Sequence, residues 1–217
     1  MNKGGIGLIL AGLAALILLK GGNSKPEPDG EPGEAFNNAD MTPTTGDSVF
    51  RGNSPEQNIK AFLYMLQASE HAYPQDVNNG IAYSTFYGGS RFYDFTDHPV
   101  NTGEKKGVRL SDAQCRASGF APGCVSTAAG AYQFIRPTWD RIRAISPRLP
   151  DFSPPSQDEA AIRLLDSIGA LKLIQAGDIE AAIAKSSKTW ASLPGSKAQQ
   201  NPRQMAFVID RFNEGLA

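Results

Sequence analysis

Residues 54–70 constrain the fold of this chain most, because they specify both a helix and the surroundings of a carboxylate. Ser54 suits an N-cap, Pro55 the first helical position and Gln57 the third, which makes a capping box. Apolar residues then recur at i, i+3, i+4 and i+7, the spacing of one helix face: Ile59, Phe62, Leu63 and Leu66. Glu70 follows Leu66 by four positions, so we expect it on the buried face near the helix end.

A carboxylate on a core-facing stripe has a chemical consequence. Burial costs free energy unless the group is paired or protonated, and desolvation raises its pKa above the usual value of about 4.3. A glutamic acid that keeps its proton near neutral pH can act as a general acid. From the pattern alone, a helix-end Glu70 that bends out to water is the alternative interpretation.

The first twenty residues predict a membrane anchor. Sixteen residues without a charge, 4–19, lie between Lys3 and Lys20. As a helix this run spans about 24 Å, somewhat less than the roughly 30 Å hydrocarbon core of a bilayer. A cleaved signal peptide is the alternative, although no Ala-x-Ala site follows the run. We expect residues 1–20 to form a transmembrane helix that contacts lipid through residues 4–19. The domain that follows would then lie outside the cytoplasm, or the anchor would sit in a virion membrane.

Residues 21–53 have the composition of a linker. They hold several prolines and glycines and few large apolar residues, so they cannot bury enough surface to order themselves. As a flexible chain of about 33 residues the segment reaches roughly 30 Å on average. The alternative is that it packs along the domain through Phe36, Val49 and Phe50.

Charge gives no indication of nucleic-acid binding, because the formal net charge of the chain is -1. Residues 21–58 carry seven acids and two bases, whereas residues 59–217 carry fifteen acids and seventeen bases. This faintly basic second part is compatible with an anionic polymer as substrate.

Two cysteines and two histidines limit what metal or redox chemistry is available. Cys115 and Cys124 lie nine positions apart and can close a disulfide in an oxidising compartment; two free thiols are the alternative. Neither they nor His71 and His98 have zinc-motif spacing, so we expect no metal site and no cofactor.

Residues 54–217 predict one globular domain of the α+β class, mostly helical with a small β-hairpin lobe. Residues 83–87 and 90–93 flank Gly88 and Gly89, which is typical of a hairpin. Further helices are expected over 137–145, after a capping box at Ser156-Gln157-Asp158-Glu159, after Asp178 and from about Pro202. A cleft between the two lobes is the expected ligand site.

Short stretches spread over residues 59–195 resemble, in the same order, the lambda-type phage endolysins, which are peptidoglycan lytic transglycosylases. The matching stretches are Ala61-Phe62-Leu63-x-Met65-Leu66 with Ser69-Glu70; Gly88-Gly89-x-x-Phe92-x-Asp94-x-x-Asp97-His98-Pro99; Ser126-Thr127-x-x-Gly130-x-Tyr132-Gln133; Asp151-Phe152-Ser153-Pro154-x-Ser156-Gln157-Asp158; Gly169-Ala170-Leu171; Gly177-Asp178-Ile179; and Trp190-Ala191-Ser192-Leu193-Pro194-Gly195. Each stretch is weak alone, but together they are specific. The segment 1–53 lies outside the resemblance.

The resemblance implies a lysozyme-like fold and cleavage between N-acetylmuramic acid and N-acetylglucosamine without water, leaving a 1,6-anhydro end. The family's catalytic glutamate falls on Glu70. The resemblance also implies substrate-binding residues that stack on sugars or bond to their polar groups: Ser126, Thr127, Tyr132 and Gln133, with Tyr83 facing them from the hairpin. Core packing is the alternative for Tyr132, and the Trp190 stretch is interpreted as structural.

Three departures from the family pattern affect the expected contacts with substrate. Glu70 is followed by His71 where a glycine is expected, and Ser84 stands where the family has an aspartate. Residues 101–125 are longer than their counterpart and hold both cysteines. Asp94 and Asp97 are expected to hold the hairpin lobe together rather than to react.

The leading hypothesis is a membrane-anchored lytic transglycosylase that acts on peptidoglycan glycan strands, for phage lysis or genome entry. A true lysozyme that hydrolyses the same bond is the alternative within enzymes. A non-catalytic membrane or virion protein that only grips peptidoglycan is the alternative outside them.

Overall fold

The computed structural model of the chain describes residues 52–196 and 202–217. These residues form α helices, one 3₁₀ helix at Ile81–Ser84 and one two-stranded antiparallel sheet. The helices are α1 (Pro55–Glu70), α2 (Pro74–Asn78), α3 (Asp112–Ala117), α4 (Arg136–Arg143), α5 (Pro154–Ser167), α6 (Leu171–Ala176), α7 (Ile179–Ser186) and α8 (Met205–Leu216). The strands are β1 (Val108–Arg109) and β2 (Val125–Ser126). A mostly helical domain with a small sheet confirms the predicted class.

Helix α1 begins and ends where the sequence predicts. The Ser54 hydroxyl accepts a hydrogen bond from the Gln57 N–H at 3.2 Å, and the Gln57 side chain accepts one from the Ser54 N–H at 2.8 Å. These two bonds satisfy donors that have no partner within the helix. Phe62 and Leu66 are fully buried, so the predicted apolar face is the one that packs on the core.

Helix α8 packs directly against α1, at a distance that only glycine allows. A Cβ on Gly215 would lie 2.8 Å from the Ala61 Cα, closer than real Cβ contacts come. The Tyr64 hydroxyl extends the contact, bonding to Asn78 Oδ1 at 3.0 Å and to Glu214 Oε2 at 3.3 Å. The two helices therefore pack tightly around Ala61 and Tyr64, in the middle of α1.

The predicted hairpin is reduced to a tight turn. Gly88 and Gly89 both have positive φ, and the Phe86 N–H donates to the Ser90 carbonyl at 2.7 Å, but pairing beyond the turn is limited to the bridge between Thr85 and Arg91. Tyr83 lies in the 3₁₀ helix instead of on a strand. Its carbonyl accepts from Gln157 Nε2 on α5 at 2.9 Å, so Tyr83 bonds to a helix, whereas Phe86 forms an antiparallel bridge with Ala129.

The sheet lies at residues that were not expected to form strands. Val108 pairs with Ser126 and Arg109 with Val125. Between these strands the structure joins Cys115 and Cys124 by a disulfide, with their Cα atoms 5.8 Å apart. The long segment 101–125 is thus a loop that is cross-linked by a disulfide and closed by a short antiparallel sheet.

The lobe that contains the turn is held to the helical part by Asp97 and His98. Trp139 Nε1 donates to Asp97 Oδ1 at 2.8 Å, Arg143 forms an ion pair with the same carboxylate, and His98 Nε2 bonds to the Phe134 carbonyl at 3.0 Å. Asp94 accepts from the N–H and hydroxyl of Thr96 and so closes a local turn. Asp97 makes the structural contacts expected of it, whereas the hydrogen bonds of the Asp94 side chain lie within its own turn.

Helix α5 begins at Pro154, with Ser153 as its N-cap, so the predicted capping box at Ser156 is wrong. The Ser156 hydroxyl donates instead to Asp151 Oδ1 at 2.9 Å. A proline inside the start of a helix leaves no N–H to satisfy, which explains why the helix begins there.

The expected transmembrane helix at 1–20 and nearly all of the expected linker lie outside the described residues. Within the ranges given above, no helix has both the length and the apolar character needed to cross a bilayer.

Candidate active site

Glu70 is the last residue of α1 and is buried, with 1% of its surface exposed. Its Oε1 accepts a hydrogen bond from the Ser192 hydroxyl at 2.5 Å, while Oε2 is buried without a hydrogen-bond partner among the described residues. Burial raises the pKa of Glu70 to about 7, against the opposing effects of the Ser192 bond and the positive charge of Arg203. The predicted burial of this carboxyl is confirmed, and the group is poised to exchange a proton near neutral pH.

Ser192 lies in the turn that follows α7 and reaches Glu70 because that turn is anchored on the core. Trp190 is fully buried, and its Nε1 donates to the Tyr132 carbonyl at 3.3 Å. From the sequence, this stretch is expected to be structural, and the contact of Ser192 with Glu70 is not predicted. The available signal was that Ser192 belongs to one of the stretches that resemble the endolysins.

Arg203 lies beside the end of α1, and sequence reasoning also missed it. Its Nε donates to the Ser69 carbonyl at 3.4 Å and its Nη2 to the His71 carbonyl at 3.1 Å. Arg203 and Ser69 are separated by 134 positions, so no local pattern predicts the contact.

His71, which replaces the expected glycine, holds the end of α1 from the other side. Its Nε2 lies 3.2 Å from the Ala131 carbonyl, and burial lowers the pKa of the ring. The imidazole is therefore neutral at pH 7, with the proton on Nε2 donated to that carbonyl. The departure at this position adds a contact between α1 and the turn at residues 130–133.

A polar network connects that turn to α1 one helical turn before Glu70. Gln67 Nε2 donates to the Tyr132 hydroxyl at 2.9 Å and to the Tyr83 hydroxyl at 3.0 Å. Both phenols donate to Asp158 Oδ1, Tyr132 at 2.6 Å and Tyr83 at 2.8 Å. Burial and the Asp158 carboxylate raise the pKa of Tyr83 to about 12, so the phenol stays a hydrogen-bond donor at neutral pH.

The structure gives Tyr132 a different position from the expected one. Its ring is fully buried and has no exposed face on which a sugar could stack. The residue therefore orients Gln67 and Asp158, and core packing, the alternative interpretation, describes its ring. Tyr83 is half-buried and reaches the surface beside it, so its expected role as a glycan contact stays a prediction.

The other expected binding residues use their side chains in contacts within the protein. Gln133 is buried with φ at 49°, and its Nε2 donates to the carbonyls of Gly130 at 2.9 Å and Thr85 at 3.3 Å. Ser126 is buried and accepts from the Ala128 N–H at 3.4 Å. Thr127 is half-buried, and its hydroxyl accepts from the Arg136 N–H at 3.0 Å, which fixes the start of α4. Their roles toward a glycan stay predictions.

Gln157 connects the turn at residues 130–133 to the 3₁₀ helix and to α5, a role that the sequence did not predict. Its Oε1 accepts from the Ala131 N–H at 2.9 Å, and its Nε2 donates to the carbonyls of Tyr83 and Phe152. Gly130 has φ at 79°, and a Cβ there would lie 2.1 Å from Gln157 Oε1. Glycine is therefore required at this position if the amide is to hold the turn.

A family model and two relatives match most of this chain. The endolysin family model matches residues 60–216. The endolysin of Escherichia phage lambda is 38% identical over 158 residues, which cover 71% of this chain and 89% of that protein. The endolysin of Escherichia phage P2 is 38% identical over 158 residues, covering 70% and 89% respectively.

Two solved structures are similar in fold. Bacteriophage lambda lysozyme complexed with a chitohexasaccharide has a TM-score of 0.59 at 36% identity, covering 73% of this chain and 94% of that one. Lysozyme from bacteriophage lambda has a TM-score of 0.57 at 34% identity with the same coverage. The fold around Glu70 is therefore lysozyme-like.

Proposed function

The chain belongs to the endolysin family, and on this premise we propose that it is a peptidoglycan lytic transglycosylase with Glu70 as its catalytic residue. The enzyme would cleave the β-1,4 bond between N-acetylmuramic acid and N-acetylglucosamine. The relative whose structure holds a chitohexasaccharide supports a glycan as the substrate.

The observation that carries the proposal is the set of contacts that the Glu70 carboxyl makes. Glycoside hydrolases use two carboxyl groups, about 5 to 9.5 Å apart, one as acid and one as nucleophile or base. Among the described residues, Glu70 Oε1 accepts from Ser192, Oε2 has no hydrogen-bond partner, and the charge that acts on the carboxyl is the positive one of Arg203. The contacts of Glu70 with these described residues therefore include no second carboxylate.

Two aspartates of this domain are committed to other contacts. Asp158 accepts from both tyrosines of the polar network, and Asp97 is paired with Arg143 and Trp139. This arrangement favours a reaction in which one carboxyl group serves twice.

One carboxyl suffices when the nucleophile belongs to the substrate. Protonated Glu70, with the proton on Oε2, donates it to the glycosidic oxygen as the bond to C1 breaks. The resulting carboxylate takes the proton of the muramic C6 hydroxyl, whose oxygen attacks C1 of the same sugar. The attack is intramolecular and therefore has a large entropic advantage, and water is not consumed. A Glu70 pKa of about 7 suits both steps, because the group must be a donor first and an acceptor afterwards.

The experiment that tests this proposal identifies the product of peptidoglycan digestion by mass spectrometry. Fragments lighter by one water than lysozyme products are expected. Glu70→Gln should lose nearly all activity and keep its fold, since the amide has the same shape but no acidic proton. Asp94→Asn and Asp97→Asn should alter stability or binding more than chemistry. Reducing muramic ends, with Asp94 or Asp97 as indispensable as Glu70, would establish the lysozyme alternative. Zymography that shows no clearing would support the non-catalytic one.

We also propose that residues 1–20 anchor the enzyme in a membrane, that 21–53 link the anchor to the domain, and that 54–217 act outside the cytoplasm. The support is the uncharged run 4–19 and the proline-rich composition after it. The full-length chain should fractionate with membranes, and a chain that begins at Ser54 should be soluble and active. Recovery of mature protein that begins near Gly21 would replace the anchor by cleaved secretion.

A further inference from the structure

The C-terminus of α1 lacks a cationic residue of its own. The last four carbonyls of a helix have no partner within it, and a positive charge nearby offsets their negative dipole. No basic residue lies in the last turn of α1, which ends at Glu70. Arg203 supplies both the hydrogen-bond donors and the positive charge from outside the helix. Its guanidinium donates to the Ser69 and His71 carbonyls on either side of Glu70.

Arg203 also holds Ser192, the residue that donates a hydrogen bond to Glu70. The Arg203 backbone N–H donates to the Ser192 carbonyl at 2.7 Å, and the Ser192 hydroxyl donates to Glu70 Oε1. The guanidinium itself lies over the ring of Phe207, 4.9 Å from its centroid, which limits its rotamers. Arg203 therefore holds the Glu70 carboxyl both through the helix backbone and through Ser192.

We propose that Arg203 is a positioning residue for Glu70, which fixes its carboxyl through the α1 carbonyls and Ser192 and stabilises the carboxylate left after proton donation. The inference rests on the function proposed for Glu70. Of the interactions that act on this carboxyl, the guanidinium charge and the Ser192 bond favour ionisation, whereas burial opposes it. Loss of Arg203 should make Glu70 a weaker acid and a less well-placed one.

Other charged or titratable groups lie on the described elements packed against α1, and the structure gives none of them a hydrogen bond or ion pair with the Glu70 carboxyl. These groups are Asp76 on α2, Lys172 on α6, Asp210, Arg211 and Glu214 on α8, and His71 at the helix end. Asp76 acts on His71, and Arg211 pairs with Glu214 at 2.6 Å. Across Gln67 lie Tyr83, Tyr132 and Asp158, which bond to one another.

Arg211 provides a matched control. It also lies over the Phe207 ring, 5.4 Å from the centroid, and its replacement removes the same charge from the same face of the fold. Its salt bridge is to Glu214 on α8. Arg203→Gln and Arg211→Gln therefore separate a specific effect on Glu70 from a general effect of net charge.

The test uses the full-length chain in mild detergent with ¹³C-labelled glutamate, so that NMR follows the titration of the Glu70 carboxyl directly. Arg203→Gln should raise its midpoint and move the alkaline limit of peptidoglycan cleavage to higher pH. Turnover at saturating substrate should fall roughly tenfold, since a misplaced catalytic group costs that much or more. Arg211→Gln should leave the midpoint and turnover as in the parent chain.

Equal midpoints in the two glutamine variants, with turnover retained, would overturn the inference. Arg203→Lys keeps the charge but loses the fork that contacts two carbonyls, so it should retain the midpoint and lose part of the turnover. If Arg203→Gln does not fold, parent-like turnover in Arg203→Lys would itself overturn the inference. The NMR midpoints do not require activity, so they test Arg203 even if Glu70→Gln were to remain active and the proposed function were to fail.

Discussion

The Ser192 hydroxyl donates a hydrogen bond to Glu70 Oε1 although the two residues lie 122 positions apart in the chain. This bond favours the ionised carboxylate, whereas burial favours the protonated acid, and the balance raises the pKa from 4.5 to about 7. The turn after α7 thus decides how acidic the last residue of α1 is.

Replacement of Ser192 by alanine should move the activity profile. Because the lost bond favours ionisation, the Glu70 pKa rises and the alkaline limit of cleavage moves to higher pH. Turnover should fall roughly tenfold, in keeping with the strength of a hydrogen bond to a charged group. The control is Ser187→Ala, which removes a buried hydroxyl that bonds to the Ala184 carbonyl instead. Identical pH–rate profiles for the two variants would contradict the prediction.

Glu70→Gln should become more stable than the parent chain as pH rises. A carboxyl whose pKa is raised on folding contributes stability that is present below pH 4.5 and lost as pH rises through about 7. The shift of about 2.5 pH units is equivalent to about 3 kcal/mol, and glutamine does not titrate. Denaturant unfolding at pH 5 and pH 8 measures the difference in unfolding free energy between the two proteins. The contributions of all other titrating groups are the same in both proteins and cancel in this difference. The prediction fails if the stability difference is the same at both values.

Tyr132→Phe should destabilise the fold more than Tyr83→Phe. The Tyr132 hydroxyl is fully buried between Gln67 and Asp158, and its removal leaves both partners short of a bond at a cost of about 1–3 kcal/mol. Tyr83 is half-buried, so water can replace its hydroxyl at smaller cost. Urea denaturation of the two variants gives the comparison. An equal or larger loss of unfolding free energy in Tyr83→Phe would contradict the prediction.

Removal of the Cys115–Cys124 bridge should lower the free energy of unfolding. Closing a loop of about ten residues restricts the unfolded chain, which is worth about 2–3 kcal/mol at most. The double alanine variant, compared with the parent chain in urea, measures this contribution. Non-reducing peptide mapping of protein from an oxidising compartment checks the bridge itself, and two free thiols would refute it.

Much of α1 could be predicted from its own residues. The capping box at Ser54 and the apolar spacing up to Leu66 follow from interactions that span at most a few positions, and the same spacing places Glu70 on the helix face that packs on the core. The tight turn at Gly88 and Gly89 follows in the same way, because glycine alone adopts positive φ without strain.

The strands could not be predicted in the same way. Residues 83–87 have a β-like pattern, yet Gln157 and Asp158 of α5 bond to Tyr83 and hold it in a 3₁₀ helix. Short strands gain stability from their partners, so the polar loop that contains β1 and β2 gave no local sign of pairing.

The sequence by itself therefore determined where α1 begins and ends and which of its faces packs on the core. The tertiary structure decided the state of the Glu70 carboxyl, because it brought Ser192 and Arg203 to Glu70 and placed Tyr132 in the core instead of on a surface for sugars. The physical reason is the range of the interactions. Caps and helical periodicity act within a few residues, whereas desolvation and hydrogen bonds at Glu70 depend on how distant segments pack against the end of one helix.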